Sequence, residues 1–359
     1  MRFAGYVCLM LFVVAEATAQ VWTPPEIPEQ SVNAARPAPI TVSVNCGAGQ
    51  KIQDAVDGNP SPIEILISGI CIENVLIRDK DVSLRGINSP SLDGIRPLAP
   101  STPSLIVRGP VEGTIQNLSF NDAAAAAVSV RGANMAFVNC RFENNGIGLQ
   151  VTLDGNVTAS GLTFANNAGR AIGVTDSQLF CTACDISGSS FAVLANRGAI
   201  VSLLDSVVTG GRGIAATDGG TIADLDCVSL ATAHPCSMTV TGAAAQAVGG
   251  ATVVLVGAGD FTGQLVAFDQ GTVEILGSRQ TVSFLSSTPA NVADYFGRII
   301  VAAFPDVSPP LQSRLRSTNA SHFAQILATD NTIIDGPVTL SGAAQSYFDP
   351  TVTVRVPSR

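Results

Sequence analysis

The sequence predicts an all-β chain wound as a parallel β-helix with coils of about 22 residues, and three observations carry that expectation. First, Phe120, Phe142, Phe164, Ile186, Val208 and Leu230 stand 22 apart, as do Leu118, Cys140, Leu162, Cys184, Ser206 and Val228. The two series are offset by two residues, so both point to one side of a short strand, toward the core. Second, turn formers follow each strand: Asp122, Asn144 with Asn145, Asn166 with Asn167, Gly188 with Ser189, Gly210 with Gly211. Asn and Gly tolerate positive φ, and stacked Asn amides can bond the neighbouring coil. Third, Val128, Val151, Ile172, Val193 and Ile214 mark another strand, closed by a second turn at Arg131-Gly132, Asp154-Gly155, Asp176-Ser177, Arg197-Gly198 and Asp218-Gly219. The register of this turn is legible to within one residue.

Taken in order, residues 1–19 read as a secretory signal: Arg2, an apolar run from Tyr6 to Ala15, then the small-residue site Ala17-Thr18-Ala19. The expected location is secreted or periplasmic. No later stretch is long and apolar enough to span a membrane. Residues 20–40 carry Pro24, Pro25, Pro28, Pro37 and Pro39 and read as a linker. Ile52, Ala55 and Val56 fit a short helix ended by Gly58, placed to cover the open end of the first coil. The β-helix is expected over 41–285, with a loop thrown out between Asn88 and Pro110 and an eight-residue insertion, LATAHPCS, before Met238. Beyond Ser286 the repeat cannot be phased, and 286–359 read as a C-terminal cap or small appended β element.

The order CGAGQKIQDAVD, IEILISGICIENVLI, DVSLRG, at residues 46–57, 63–77 and 81–86, resembles the entry to pectate-lyase-like right-handed β-helix proteins. The resemblance covers about residues 46–280. It implies a right-handed solenoid with a short N-terminal capping helix, in a superfold that hosts lyases, hydrolases, esterases, epimerases and non-catalytic adhesins. The enzymes of that family act on acidic polysaccharides. Their Asn-Thr-Asp, Asp-pair, Gly-His-Gly, Arg-Ile-Lys and Asp-Pro-His-Asp signatures do not occur here, and the only histidines are His234 and His322. Arginine is then the one base candidate within the coils.

Seven cysteines follow the signal. Cys46 and Cys71 lie about one coil apart, and Cys227 and Cys236 flank the insertion, so each pair is placed to bridge. Cys140 and Cys184 lie two coils apart, roughly 9.6 Å, beyond the reach of a disulfide. Cys184 is therefore expected to pair with Cys181, leaving Cys140 as a buried thiol. A redox role for Cys181 and Cys184 fits a helix start better than a β-coil. A zinc site at Cys227, His234 and Cys236 lacks a fourth ligand.

The formal charge is −9, with two lysines against 17 arginines, and no basic nucleic-acid stripe is visible. The most suggestive polar set is the second turn: Arg131, Asp154, Asp176, Arg197 and Asp218. Its aspartates could hold a sugar or calcium, the one cofactor the residues suggest. Alternating charges on a solvated turn are favoured instead, because arginines repel a cation. Trp22 is the only tryptophan, so a glycan groove has few aromatic platforms beyond Tyr295, Phe296, Tyr347 and Phe348, which could equally pack the last coil. The expected function is a non-catalytic binding or structural surface for envelope or extracellular partners such as polysaccharide. The alternative is a polysaccharide lyase or epimerase acting on acidic glycans.

Overall fold

The computed structural model describes residues 37–188, 190–227, 236–257, 260–277, 279–280, 291–302, 314–329 and 332–355. The stretch expected to be a signal, most of the expected linker, Val228, Leu230 and His234 lie outside them.

Each central coil contributes one strand to a first sheet and two to a second; later coils run the two together, as in Ser237–Val248 and Asp260–Phe268. In one central coil the three strands are Asn134–Val138, then Arg141–Glu143 and Ile147–Thr152; in the next, Asn156–Ser160, Thr163–Asn167 and Arg170–Thr175. Every pairing is parallel and joins a strand to its counterpart one coil on. The first sheet runs from Ile40–Asn45 to Gln345–Phe348 and holds 14 strands among the described residues.

The 22-residue spacing becomes vertical stacking. Phe120, Phe142, Phe164, Ile186 and Val208 are successive register partners and no more than 1% exposed. The three rings stack at 5.3 and 4.7 Å between centroids. The next partner of Val208 is Met238, because the eight-residue insertion displaces the position counted to Leu230. Asn145 and Asn167 are buried at the first turn: Asn145 Oδ1 accepts from the Ala123 N–H at 2.9 Å, and Asn167 Oδ1 from the Asn145 N–H at 3.1 Å. Their amide groups donate to the carbonyls of Phe120 and Phe142. Each side chain thus satisfies backbone groups that the bend leaves unpaired.

The helix Ile52–Gly58 buries Ile52, Ala55 and Val56 and packs on the first strands. Its free N-terminal donors are taken by a residue far along the chain: Glu73 accepts from the N–H of Ile52 at 2.8 Å and of Gln53 at 3.0 Å. Lys80 holds the other end, its Nζ donating to the carbonyls of Val56 and Asn59.

Two expectations are corrected. The stretch from Asn88 to Pro110 is not wholly looped out, since Gly94–Arg96 and Leu105–Arg108 pair in the second sheet; the prolines break the spacing, not the coil. Nor does the ladder stop at 285. Ile275, Val301, Ala328 and Phe348 remain register partners, at intervals of 26, 27 and 20 residues that defeat a search for a fixed period.

Candidate functional site

The second turn carries the candidate site. Here the chain leaves the second sheet and enters the first, and the corner residues take left-handed backbone: φ is 61° at Asp154, 48° at Asp176, 53° at Arg197 and 68° at Asp218. Asp adopts this region more readily than most side chains do, which accounts for three of the four positions. The corners are laced together by backbone bonds, from the Asp154 N–H to the Asp176 carbonyl at 2.8 Å and from Asp176 to Asn196 at 3.3 Å.

Three of the five residues singled out from sequence come together. Asp154, Asp176 and Arg197, with Asn156, Ser177 and Gln178, line an open concavity of about 400 Å³. Asp218 continues the line of corners one coil on. Arg131 does not belong to it: it ends the strand Ala126–Arg131, and its register partner is Thr152, two residues ahead of Asp154. Gly132, with φ 60°, takes the corner of that coil, so Arg131 stands one place short of it as Thr175 does of Asp176; the turn after Thr152 holds one residue more, with left-handed backbone at both Leu153 and Asp154. Among the described residues, no three His, Cys, Asp or Glu side chains gather as metal ligands.

Beside the corners runs an outward register line that sequence spacing did not show. Arg78, Arg108, Arg131, Thr152, Thr175, Asn196, Thr217, Val248, Phe268 and Asp294 are partners in succession. Its middle is a half-buried run of hydroxyl and amide groups, in which the side-chain amide oxygen of Asn196, Oδ1, is shielded and has no hydrogen-bond partner. Toward the C-terminus the corners turn aromatic. Phe268, Tyr295, Phe296 and Phe323 are 38–58% exposed. Tyr295 stacks on His322 at 4.6 Å, and Phe296 on Phe323 at 5.2 Å. Tyr295 and Phe296 therefore stand on the surface and do not pack into the last coil. His322 Nδ1 lies 2.7 Å from Asp294. Against the partial desolvation of its carboxylate, hydrogen bonds from Ser321, His322 and the Tyr295 N–H hold Asp294 below the usual carboxylate range.

The outer face of the first sheet offers a second acidic feature. Asp224 and Asp226 lie two apart on the strand Ile222–Asp226, and Glu274 is reached from Asp224 through Val254. Burial, reinforced by the charge of Asp226 and opposed by a hydrogen bond from Ser202, pushes Asp224 up to about 6. Burial also raises Glu274. One Asp224 oxygen is shielded and unpaired. Sequence reasoning missed this group because carboxylates at intervals of 2 and 50 residues have no signature until the register is known.

The cysteines form three bridges, Cys46–Cys71, Cys181–Cys184 and Cys227–Cys236, and Cys140 is a buried free thiol. The bridge occupies both cysteines of the zinc alternative. Burial pushes the Cys140 thiol up to about 12.

Residues 100–227 match the family model described as a right-handed beta helix region. No curated protein matches the chain in sequence. Among solved structures, an alginate lyase from a Paenibacillus species is similar at 11% identity, over 87% of this chain and 99% of that one, with a TM-score of 0.35. The catalytic unit of a thermostable alpha-1,3-glucanase from Streptomyces thermodiastaticus is similar at 13% identity, over 89% and 69%, with a TM-score of 0.36. The A-module of a mannuronan C-5 epimerase from Azotobacter vinelandii is similar at 10% identity, over 85% and 92%, with a TM-score of 0.26. These likenesses assign no activity to this chain. No helix among the described residues is long and apolar enough to cross a membrane. The coil topology, together with the family model over residues 100–227, identifies the chain as a right-handed parallel β-helix.

Proposed function

We propose that this is an extracellular β-helix that binds polysaccharide along the second-turn face, as a binding surface without catalysis. The carrying observation is the change of chemistry along that face: hydroxyl and amide groups at Thr152, Thr175, Asn196 and Thr217, beside the concavity at Asp154, Asp176 and Arg197, lead to exposed rings at Phe268, Tyr295, Phe296 and Phe323. Sugars are held by directed hydrogen bonds and by aromatic surfaces, and both lie here on one line parallel to the solenoid axis. Calorimetric titration of the full chain with neutral and acidic oligosaccharides tests the reading. Binding that weakens in Asn196→Ala and in Tyr295→Ala supports it; no uptake from either class sinks it.

Asp224 favours an enzymatic second reading. A carboxyl group raised toward neutrality beside a second carboxylate, on an open sheet face, suits general acid or base work on an acidic glycan. New unsaturated or reducing ends released by the wild type and absent with Asp224→Asn would establish it over the first.

A further inference from the structure

We infer that Arg78, Arg108 and Arg131 form a binding site for a phosphate-type dianion, separate from the polar and aromatic stretches of the same face. The three are consecutive register partners on the outward side of their strands, so their Cα atoms stand one coil apart, about 4.8 Å each. The sequence hides the set, since the intervals are 30 and 23 residues and the first crosses the proline-broken stretch. Like charges stacked at this distance repel one another, and none of the three has a carboxylate within ion-pair distance among the described residues. The carboxylate of Asp79 borders the line over the backbone of Gly109 and pairs with none of them. Arg131 Nε donates to Ser129 Oγ at 3.3 Å. In the middle of the set, Arg108 keeps an Nε that is shielded from water and has no partner. A shielded donor without an acceptor calls for an occupant, and here the occupant must accept hydrogen bonds and carry negative charge.

The charge count selects the class. Three guanidinium groups within two coil steps present a dense array of forked donors to one small region. A tetrahedral oxyanion with two charges offers acceptors in several directions and neutralises most of the array. A single planar carboxylate leaves at least one arginine unpaired. The ligand is therefore a phosphate-type group, either the free ion or a monoester carried on a larger molecule.

The test is thermal and calorimetric titration of the full chain with inorganic phosphate and with glycerol phosphate, against acetate and chloride at matched ionic strength. Saturable binding of either phosphate is expected, weakened about tenfold or more in Arg108→Gln and in the more exposed Arg78→Gln, because each removes a charge-assisted hydrogen bond. Arg298→Gln, on the first sheet, should bind as the wild type does. Tighter binding of glycerol phosphate identifies an ester, and tighter binding of inorganic phosphate the free ion. A rise in melting temperature that acetate or chloride reproduces, or phosphate binding unchanged in both arginine variants, overturns the proposal.

Discussion

Two aromatic ladders in this molecule share a geometry and differ in everything else. Phe120, Phe142 and Phe164 stack inside the solenoid at 5.3 and 4.7 Å and are almost wholly buried. Tyr295 and His322, with Phe296 and Phe323, stack at 4.6 and 5.2 Å on the second turn, and there the phenylalanine and tyrosine rings are roughly half exposed. The coil rise sets both spacings, so ring stacking alone does not distinguish core from binding surface. Burial does: the inner rings stabilise the fold by leaving water, whereas the outer rings hold apolar surface at the solvent boundary.

That contrast can be broken by substitution. Phe142→Ala, at the centre of the inner ladder, should lower unfolding free energy by about 3–5 kcal/mol, read from denaturant melts. A loss below about 1 kcal/mol would mean the inner stack is not close-packed. Asn167→Ala leaves the Asn145 N–H without its acceptor in a buried bend and should cost about 1–3 kcal/mol. Asp224 gives a smaller, pH-dependent effect on the outer face of the first sheet. Its folded value is raised above that of the unfolded chain, so the native state holds the proton longer, and stability falls as pH rises from about 4 to about 6. The loss should be on the order of 1–3 kcal/mol and vanish in Asp224→Asn; an identical pH profile in the variant would refute the raised value. The smallest effect on stability is expected at the outer ladder, where Phe323→Ala should change it by less than about 1 kcal/mol. Cys140 sharpens the contrast from another side. Buried and held protonated, it should resist alkylation in the native protein and become the one reactive thiol among the described residues after unfolding without reductant.

The inner ladder was legible in the sequence because burial on one side of a strand demands an apolar residue at every coil, and an unbroken run of 22-residue coils repeats that demand at a fixed interval. The eight-residue insertion was legible for the same reason, as a displaced period. Outward positions face no such demand. Arg78, Arg108 and Arg131 are aligned in space at unequal intervals, and Phe268, Tyr295 and His322 lie where coil lengths vary between 20 and 27 residues. Arg131 was grouped with Asp154 because both precede a glycine, whereas in its own coil Gly132 holds the corner, and a one-residue error moves a side chain from the corner to the strand. The chemistry of the face therefore emerged only with the register.

The central claim is that the outer ladder serves binding while the inner one serves stability, and one paired measurement on Tyr295→Ala tests it. Oligosaccharide affinity and unfolding free energy are measured on the same preparation, beside the wild type. The account predicts affinity weakened about tenfold, near 1.4 kcal/mol, with stability changed by less than about 1 kcal/mol. Unchanged affinity with a large loss of stability would contradict it and return Tyr295 to the structural frame.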